Sequence, residues 1–280
     1  MSLIESCELK DEDYQLIRKL VYAQSGINLG EHKAQLVKSR LSRLLREGRF
    51  PSYRAYYQHV RDDPTGEALS VMLDAITTNT THLFREITHF NRVRQLLTGW
   101  AGDQAWRRAH KEVRIWSAAC SSGEEPHSLA MTAADTLQAF PKLDFRILAT
   151  DLSSQMLSQA KLALYEIQRV GTVPEKLRKR YLKPVKADGK QRLQLVPELR
   201  SRITFSKFNL MSESFPFKQS FDIIFCRNVM IYFDKPTQNT LVQKLVRHLC
   251  TGGHLMIGHS ESINKLDHSL TYVEPTVYRK

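Results

Sequence analysis

Four short apolar runs, each set apart from the next by a helical stretch, restrict this chain more than any other feature. They are Val113 to Ala119, Phe145 to Thr150, Phe221 to Cys226 and His254 to Gly258. Runs of this kind mark strands buried on both faces, and helices between them imply parallel strands joined by crossovers. Helices are expected over Pro126 to Phe140, Ser153 to Leu164 and Pro236 to Leu249, with Gly252-Gly253 before the last strand. The expected core is a doubly wound parallel α/β sheet, which holds ligands outside the carboxyl ends of its strands. Lys183 to Leu195 alternates around Asp188-Gly189, a hairpin signal within that domain.

Residues 1 to about 75 read differently, as a small helical domain. Asp11 is placed to cap a helix through Tyr14, Ile17, Leu20 and Val21, which the Gly26 to Gly30 stretch ends. Leu36, Val37, Leu41, Leu44 and Leu45 give a second helix closed by Gly48, and Ser52 opens a third through Tyr53, Tyr56 and Tyr57. A fourth, Glu67 to Ala75, leads into the polar run Thr77 to Thr81.

The net charge of +12 is unevenly placed: six acids and three bases up to Glu31, then eight bases and one acid from Lys33 to Arg61. Arg40, Arg43 and Arg46 recur at steps of three on one flank of the second helix. Such a flank is either solvated or a dock for something acidic; net charge alone does not choose among nucleic acid, lipid and protein. The four cysteines lie apart without a CxxC pair, so neither a disulfide framework nor a metal site is expected. The amino terminus is acidic without an apolar signal core, and no run approaches the roughly 18 apolar residues of a membrane span. A cytoplasmic protein is expected.

Four stretches carry chemistry. The first, Trp116 to Ser128 (WSAACSSGEEPHS), leaves a strand through small residues and enters a helix with two acids and one glycine. A dinucleotide site needs GxGxxG so that a pyrophosphate can sit on the helix N-terminus. Glu124 and Glu125 repel phosphate and favour a ligand bearing a positive group and hydroxyls, which describes S-adenosylmethionine. The second is Asp151, ending a strand where nucleotide-type folds hold ribose hydroxyls; the alternative is that it caps the helix near Ser153. The third is Arg227-Asn228 at the end of a buried strand, either a site or an internal salt bridge. The fourth is Thr77 to Glu86 (TTNTTHLFRE), which composition alone reads as a polar linker capping the next helix.

Taken together, TTNTTHLFRE, WSAACSSGEEPHSLA, LATDLS, FCRNVMIYFD and GHSES resemble the CheR family of chemotaxis receptor methyltransferases, in the family's order and over nearly the whole chain. The resemblance implies a helical domain over 1–75, a linker over 76–90 that contributes to the cofactor site, and a Rossmann-like S-adenosylmethionine-dependent methyltransferase domain over 91–280. That domain carries a small β subdomain near 180–200. Asn79, Thr81 and Arg85 would line the cofactor site, Glu125 would meet the methionine part, and Asp151 the ribose. Asn209-Leu210 and Arg227-Asn228 would flank the adenine and the methyl end, with Tyr232 near the transferred methyl. Glu124 would only start the helix. His127 stands where the family usually has tyrosine, which implies altered packing below the site.

The implied reaction esterifies glutamate side chains on the cytoplasmic domains of methyl-accepting chemotaxis receptors and leaves S-adenosylhomocysteine. A glutamate, with a reference pKa of about 4.3, is already ionised and needs no base; it needs placement about 3–3.5 Å from the methyl and exclusion of water. Arg85 is the candidate for orienting that carboxylate, and Arg40, Arg43 and Arg46 for docking the acidic receptor. The protein is expected to act as a monomer, with no nucleic acid bound and no insertion into the membrane. A base methyltransferase would carry an Asn/Asp-Pro-Pro-aromatic element where Arg227 to Met230 stands, and an oxidoreductase would need the glycine fingerprint.

Overall fold

A computed structural model describes residues 7–77 and 80–280. Helices α1 (Asp11–Ser25), α2 (Ala34–Glu47), α3 (Tyr53–Asp62) and α4 (Glu67–Ile76) form the helical domain. Ser52 caps α3 by accepting from the Ala55 N–H at 3.1 Å. Asp11, by contrast, is not a cap: Lys10 holds that position, and Asp11, Glu12 and Asp13 fill the first turn, where acids suit the helix dipole. Asp13, buried, pairs with Arg54 of α3 at 2.5 Å and fixes the two helices together.

The rest of the chain forms α5 (Ile87–Gly102), α6 (Gln104–Ala109), β1 (Glu112–Ala118), α7 (Glu124–Leu137), β2 (Asp144–Asp151), α8 (Ser154–Leu162) and β3 (Leu164–Glu166). Then come α9 (Glu175–Tyr181), β4 (Leu182–Ala187), β5 (Lys190–Leu195), α10 (Pro197–Arg200), β6 (Ile203–Lys207) and β7 (Phe221–Cys226). The chain closes with α11 (Lys235–His248), β8 (Leu249–Ile257), β9 (Thr271–Glu274) and β10 (Val277–Arg279). The main sheet runs β6-β2-β1-β7-β8-β10-β9, with β6 through β8 parallel and β10 antiparallel to both neighbours. The order reverses beside β1, between β2 and β7, so the switch-point crevice opens at the carboxyl ends of those three strands.

Strand residues alternate between two cores. Val113, Ile115, Ile223 and Phe225 face a layer that includes Phe90, Val93 and Leu97 of α5 and Leu129 of α7. Trp116, Ala118, Ile224 and Cys226 face the other layer, which holds Leu241 and Leu245 of α11. That second core is continuous with the helical domain through Ile17, Val37, Leu41 and Met72. The chain therefore has to cross from one face of the sheet to the other between α4 and α5.

Three expectations need correction. The hairpin is a three-stranded sheet, β3-β5-β4, because α8 ends early. Ala163 adopts a left-handed φ of 51° there, and Leu164 turns into a strand paired with Gln194. Gly252-Gly253 lies inside β8 and not before it: Gly252 has φ 79°, and the β7–β8 register shifts between Phe221 and Ile223. The sequence reading also left out α5 and α6, whose mixed polar and apolar residues are dictated by packing, and the short outer strands β6, β9 and β10.

Candidate active site

The loop after β1 is tightly wound. Ala119, Ser121 and Gly123 have φ of 62°, 49° and 92°. A Cβ on Gly123 would stand 2.7 Å from the Ala160 Cβ and 2.9 Å from His127, so the approach of this loop to α8 requires glycine. The loop delivers the Ser121 N–H to Asp151 Oδ2 at 2.8 Å, while the Ser153 N–H binds Oδ1 at 2.9 Å. Asp151 is thus held between two loops and is not the helix cap; Ser153 caps α8 by accepting from the Met156 N–H. Burial raises the Asp151 pKa, with its backbone donors pulling the other way.

Below the next strand end lies a charged cluster. Arg227, with its side chain 2% exposed, donates to Glu125 Oε2 at 3.1 Å, to Glu86 Oε2 at 2.8 Å and to the Arg85 carbonyl at 2.7 Å. The Ser117 hydroxyl donates to Glu125 Oε1 at 2.6 Å. Burial pushes Glu86 up, but Arg227, Asn228 and the His259 N–H outweigh it and bring its pKa to about 2. Glu125, deeper, is raised by burial against the pull of Arg227. Two carboxylates share one guanidinium. Arg227 is an internal salt bridge that also lines the pocket.

Asn228, at φ 57°, owes its turn to a second acid. The Glu261 carboxylate accepts from the N–H groups of Asn228, Met230, Ile231 and Gly258 at 2.9, 2.8, 3.3 and 2.6 Å. A Cβ on Gly258 would lie 2.5 Å from Asn228 Nδ2. Neither Glu86 nor Glu261 was singled out from sequence, although both lie in the quoted motifs.

One pocket gathers Thr81, Arg85, Glu125, Asp151, Asn209, Leu210, Arg227, Asn228 and Tyr232 on its walls, while Asn79 lies outside the described residues. The helical domain adds Ser25, Ile27, Leu73 and Asp74, which the sequence reading did not anticipate. Asn209 is spent on the joint between the domains: Nδ2 donates to the Gln24 carbonyl at 2.6 Å and Oδ1 accepts from the Met211 N–H at 2.9 Å. The Asn28 N–H donates to the Tyr232 carbonyl at 2.8 Å across the same joint. The linker does not cap α5, which starts behind Glu86 without a side-chain cap. It is pinned across the strand ends instead, with the Phe84 N–H bound to Ser128 Oγ and the Leu83 carbonyl to Thr172 Oγ1.

Away from the pocket, Glu86, His89 and His259 bring ligand-type atoms within 4.8 Å of one another, but Glu86 already neutralises Arg227. His127 is fully buried, hydrogen-bonded through Nδ1 to the Tyr165 hydroxyl, and burial lowers its pKa to about 3. On α2, Arg43 and Arg46 are exposed, whereas Arg40 turns inward to the Ile76 carbonyl; Arg43 pairs with Glu47 at 2.7 Å.

A switch-point pocket with carboxylates after β1 and at the end of β2, where the helix after β1 opens with two acids, suits a cationic nucleoside and rejects a pyrophosphate. Its class is that of the S-adenosylmethionine-dependent methyltransferases. The family described as CheR methyltransferase, SAM binding domain, matches residues 79–279, and CheR methyltransferase, all-alpha domain, matches residues 12–77. The chain belongs to the CheR methyltransferase family. It is 39% identical to the chemotaxis protein methyltransferase of Borreliella burgdorferi, over 97% of this chain and 94% of that protein. It is 40% identical to chemotaxis protein methyltransferase 2 of Pseudomonas aeruginosa, over 95% and 92%. With the chemotaxis protein methyltransferase of Escherichia coli the figures are 33%, 99% and 94%. Among the described residues no helix is long and apolar enough to cross a membrane.

Proposed function

We propose that this enzyme transfers the methyl group of S-adenosylmethionine to glutamate side chains of methyl-accepting chemotaxis receptors, forming methyl esters and S-adenosylhomocysteine. The observation that carries the cofactor half is the excess of carboxylates in the pocket wall: Glu125 and Asp151, with a single buried guanidinium shared between Glu125 and Glu86. Glu125 takes the methionine end, Asp151 the ribose, and Leu210 the adenine face. Thr81 closes the linker side. Asn209 acts by holding the Gln24 carbonyl, and so shapes the adenine end by position. Asn228 and Tyr232 border the reacting end of the pocket.

When bound, the cofactor supplies a sulfonium-activated methyl group. The chain's own residues bind it, orient the acceptor and exclude water. Arg85 sits on the pocket wall with Nη1 donating to the Thr80 carbonyl at 3.0 Å, in the linker and outside the buried cluster. Its remaining donors hold the incoming carboxylate, which needs no base at neutral pH. The exposed Arg43 and Arg46 attract an acidic receptor surface, with Arg40 stiffening the helix that presents them. The enzyme works as a monomer in the cytoplasm and leaves nucleic acid unmodified.

The test is transfer of labelled methyl to a receptor fragment as a base-labile ester, preceded by calorimetry with S-adenosylhomocysteine. Absence of binding would refute the cofactor half. Binding with label on RNA or DNA, and none on the receptor, would refute the substrate half.

A further inference from the structure

The pocket has a wall that no strand end supplies. Asp74, on α4 of the helical domain, lines it together with Asp151, and the two carboxylates are close enough that Asp74 raises the Asp151 pKa. Lys207, the register partner of Asp151, donates to Ser70 Oγ at 3.3 Å, one turn before Asp74, and so ties α4 to the ends of β2 and β6. Burial raises the Asp74 carboxyl, while Ser153 and the nearby Lys207 pull it down.

An ionised carboxylate offers about four acceptor sites. Neighbouring carboxylates in a half-buried pocket repel unless donors stand between them. A vicinal diol supplies two O–H donors at the spacing of adjacent hydroxyls, and so matches a pair of acids better than either acid alone. We infer that Asp74 is a cofactor-binding residue: it accepts from one ribose hydroxyl while Asp151 accepts from the other, so that the cofactor spans the helical and α/β domains. This rests on the reading of the pocket as the S-adenosylmethionine site. It follows that cofactor occupancy tightens the joint between the domains, since a ligand that contacts both stabilises their docked arrangement.

Asp74→Asn keeps the side-chain size but removes the charge. Calorimetry on the full chain should show S-adenosylhomocysteine binding about tenfold to a hundredfold more weakly, the range for a lost hydrogen bond to a charged group. The melting temperature without ligand should stay the same while the ligand-induced rise shrinks. The same factor should appear with 5′-methylthioadenosine, which keeps the nucleoside and lacks the amino acid. A loss seen with S-adenosylhomocysteine alone would place Asp74 at the amino-acid end and overturn the ribose assignment. A lowered ligand-free melting temperature with unchanged affinity would make the residue purely structural and overturn the inference. Asp151→Asn separates the two levels: weaker binding there with unchanged binding in Asp74→Asn refutes the shared ribose site alone. Unchanged binding in both refutes the cofactor reading beneath it.

Discussion

Replacing Arg227 by methionine tests the logic of the buried cluster most directly. Methionine can keep the packing against the Phe90 and Phe225 rings, over which the guanidinium sits at 5.7 and 5.4 Å. What disappears is the only cation between Glu86 and Glu125, whose side chains are 13% and 14% exposed. Removing one partner of a buried ion pair costs about 3–5 kcal/mol. The fall of the Glu86 pKa from 4.5 to about 2 corresponds to about 3 kcal/mol, the same scale. In the parent, that contribution is present above pH 4.5 and is lost as the pH falls toward 2. In the variant, two buried carboxylates without a cation titrate above 4.5, so the variant weakens progressively as the pH rises past 4.5. The gap between the two proteins should therefore be widest near pH 8 and narrow toward pH 5. All three tryptophans (Trp100, Trp106 and Trp116) lie in the α/β domain, so urea unfolding followed by tryptophan fluorescence reports on the right unit. A melting temperature lower by roughly 10 °C at neutral pH is the thermal equivalent. A loss below about 1 kcal/mol, or one equal at pH 5.5 and pH 8, would refute the reasoning.

Arg85→Ala should cut single-turnover methylation far more than it weakens S-adenosylhomocysteine binding; near-normal turnover would remove Arg85 from the orienting role. Arg43→Glu with Arg46→Glu should slow receptor methylation in a salt-dependent way with cofactor affinity intact, and an unchanged rate would make this flank merely solvated. Arg40 is left out of that test because its bond to the Ile76 carbonyl makes it part of the α2–α4 packing. Glu261→Gln puts an amide donor among four N–H groups that need acceptors, and should cost about 2–3 kcal/mol in a thermal melt while loosening the Asn228 turn and weakening cofactor binding.

Some of the site was legible because strand ends carry their own signal. Asp151 and Glu125 follow apolar runs at positions where a doubly wound sheet puts ligands, and their charge alone rejects a phosphate. Arg227 was legible as a costly buried ion, but its partners were not: Glu125 and Glu86 lie 102 and 141 residues away in the chain. Asn209, expected beside the adenine, lines the pocket and also fastens the two domains, a bond the sequence did not reveal because a carboxamide bonds whichever backbone the fold brings near. The hairpin grew a third strand because α8 stops at Leu162, a choice made by one left-handed alanine.

The sequence by itself determined the parallel sheet, the helical domain ahead of it and the acidic character of the first turn, because burial periodicity and local charge are written residue by residue. Composition alone would have dismissed the Thr77 to Glu86 linker, which only the family resemblance put at the site, and only the tertiary structure decided that the end of α4 forms part of the pocket. The helical domain shares its core with one face of the sheet, whereas α5 packs on the other. The chain between them therefore changes face, and Thr81 and Arg85 of that crossing join Asp74 of α4 over the same crevice as Asp151.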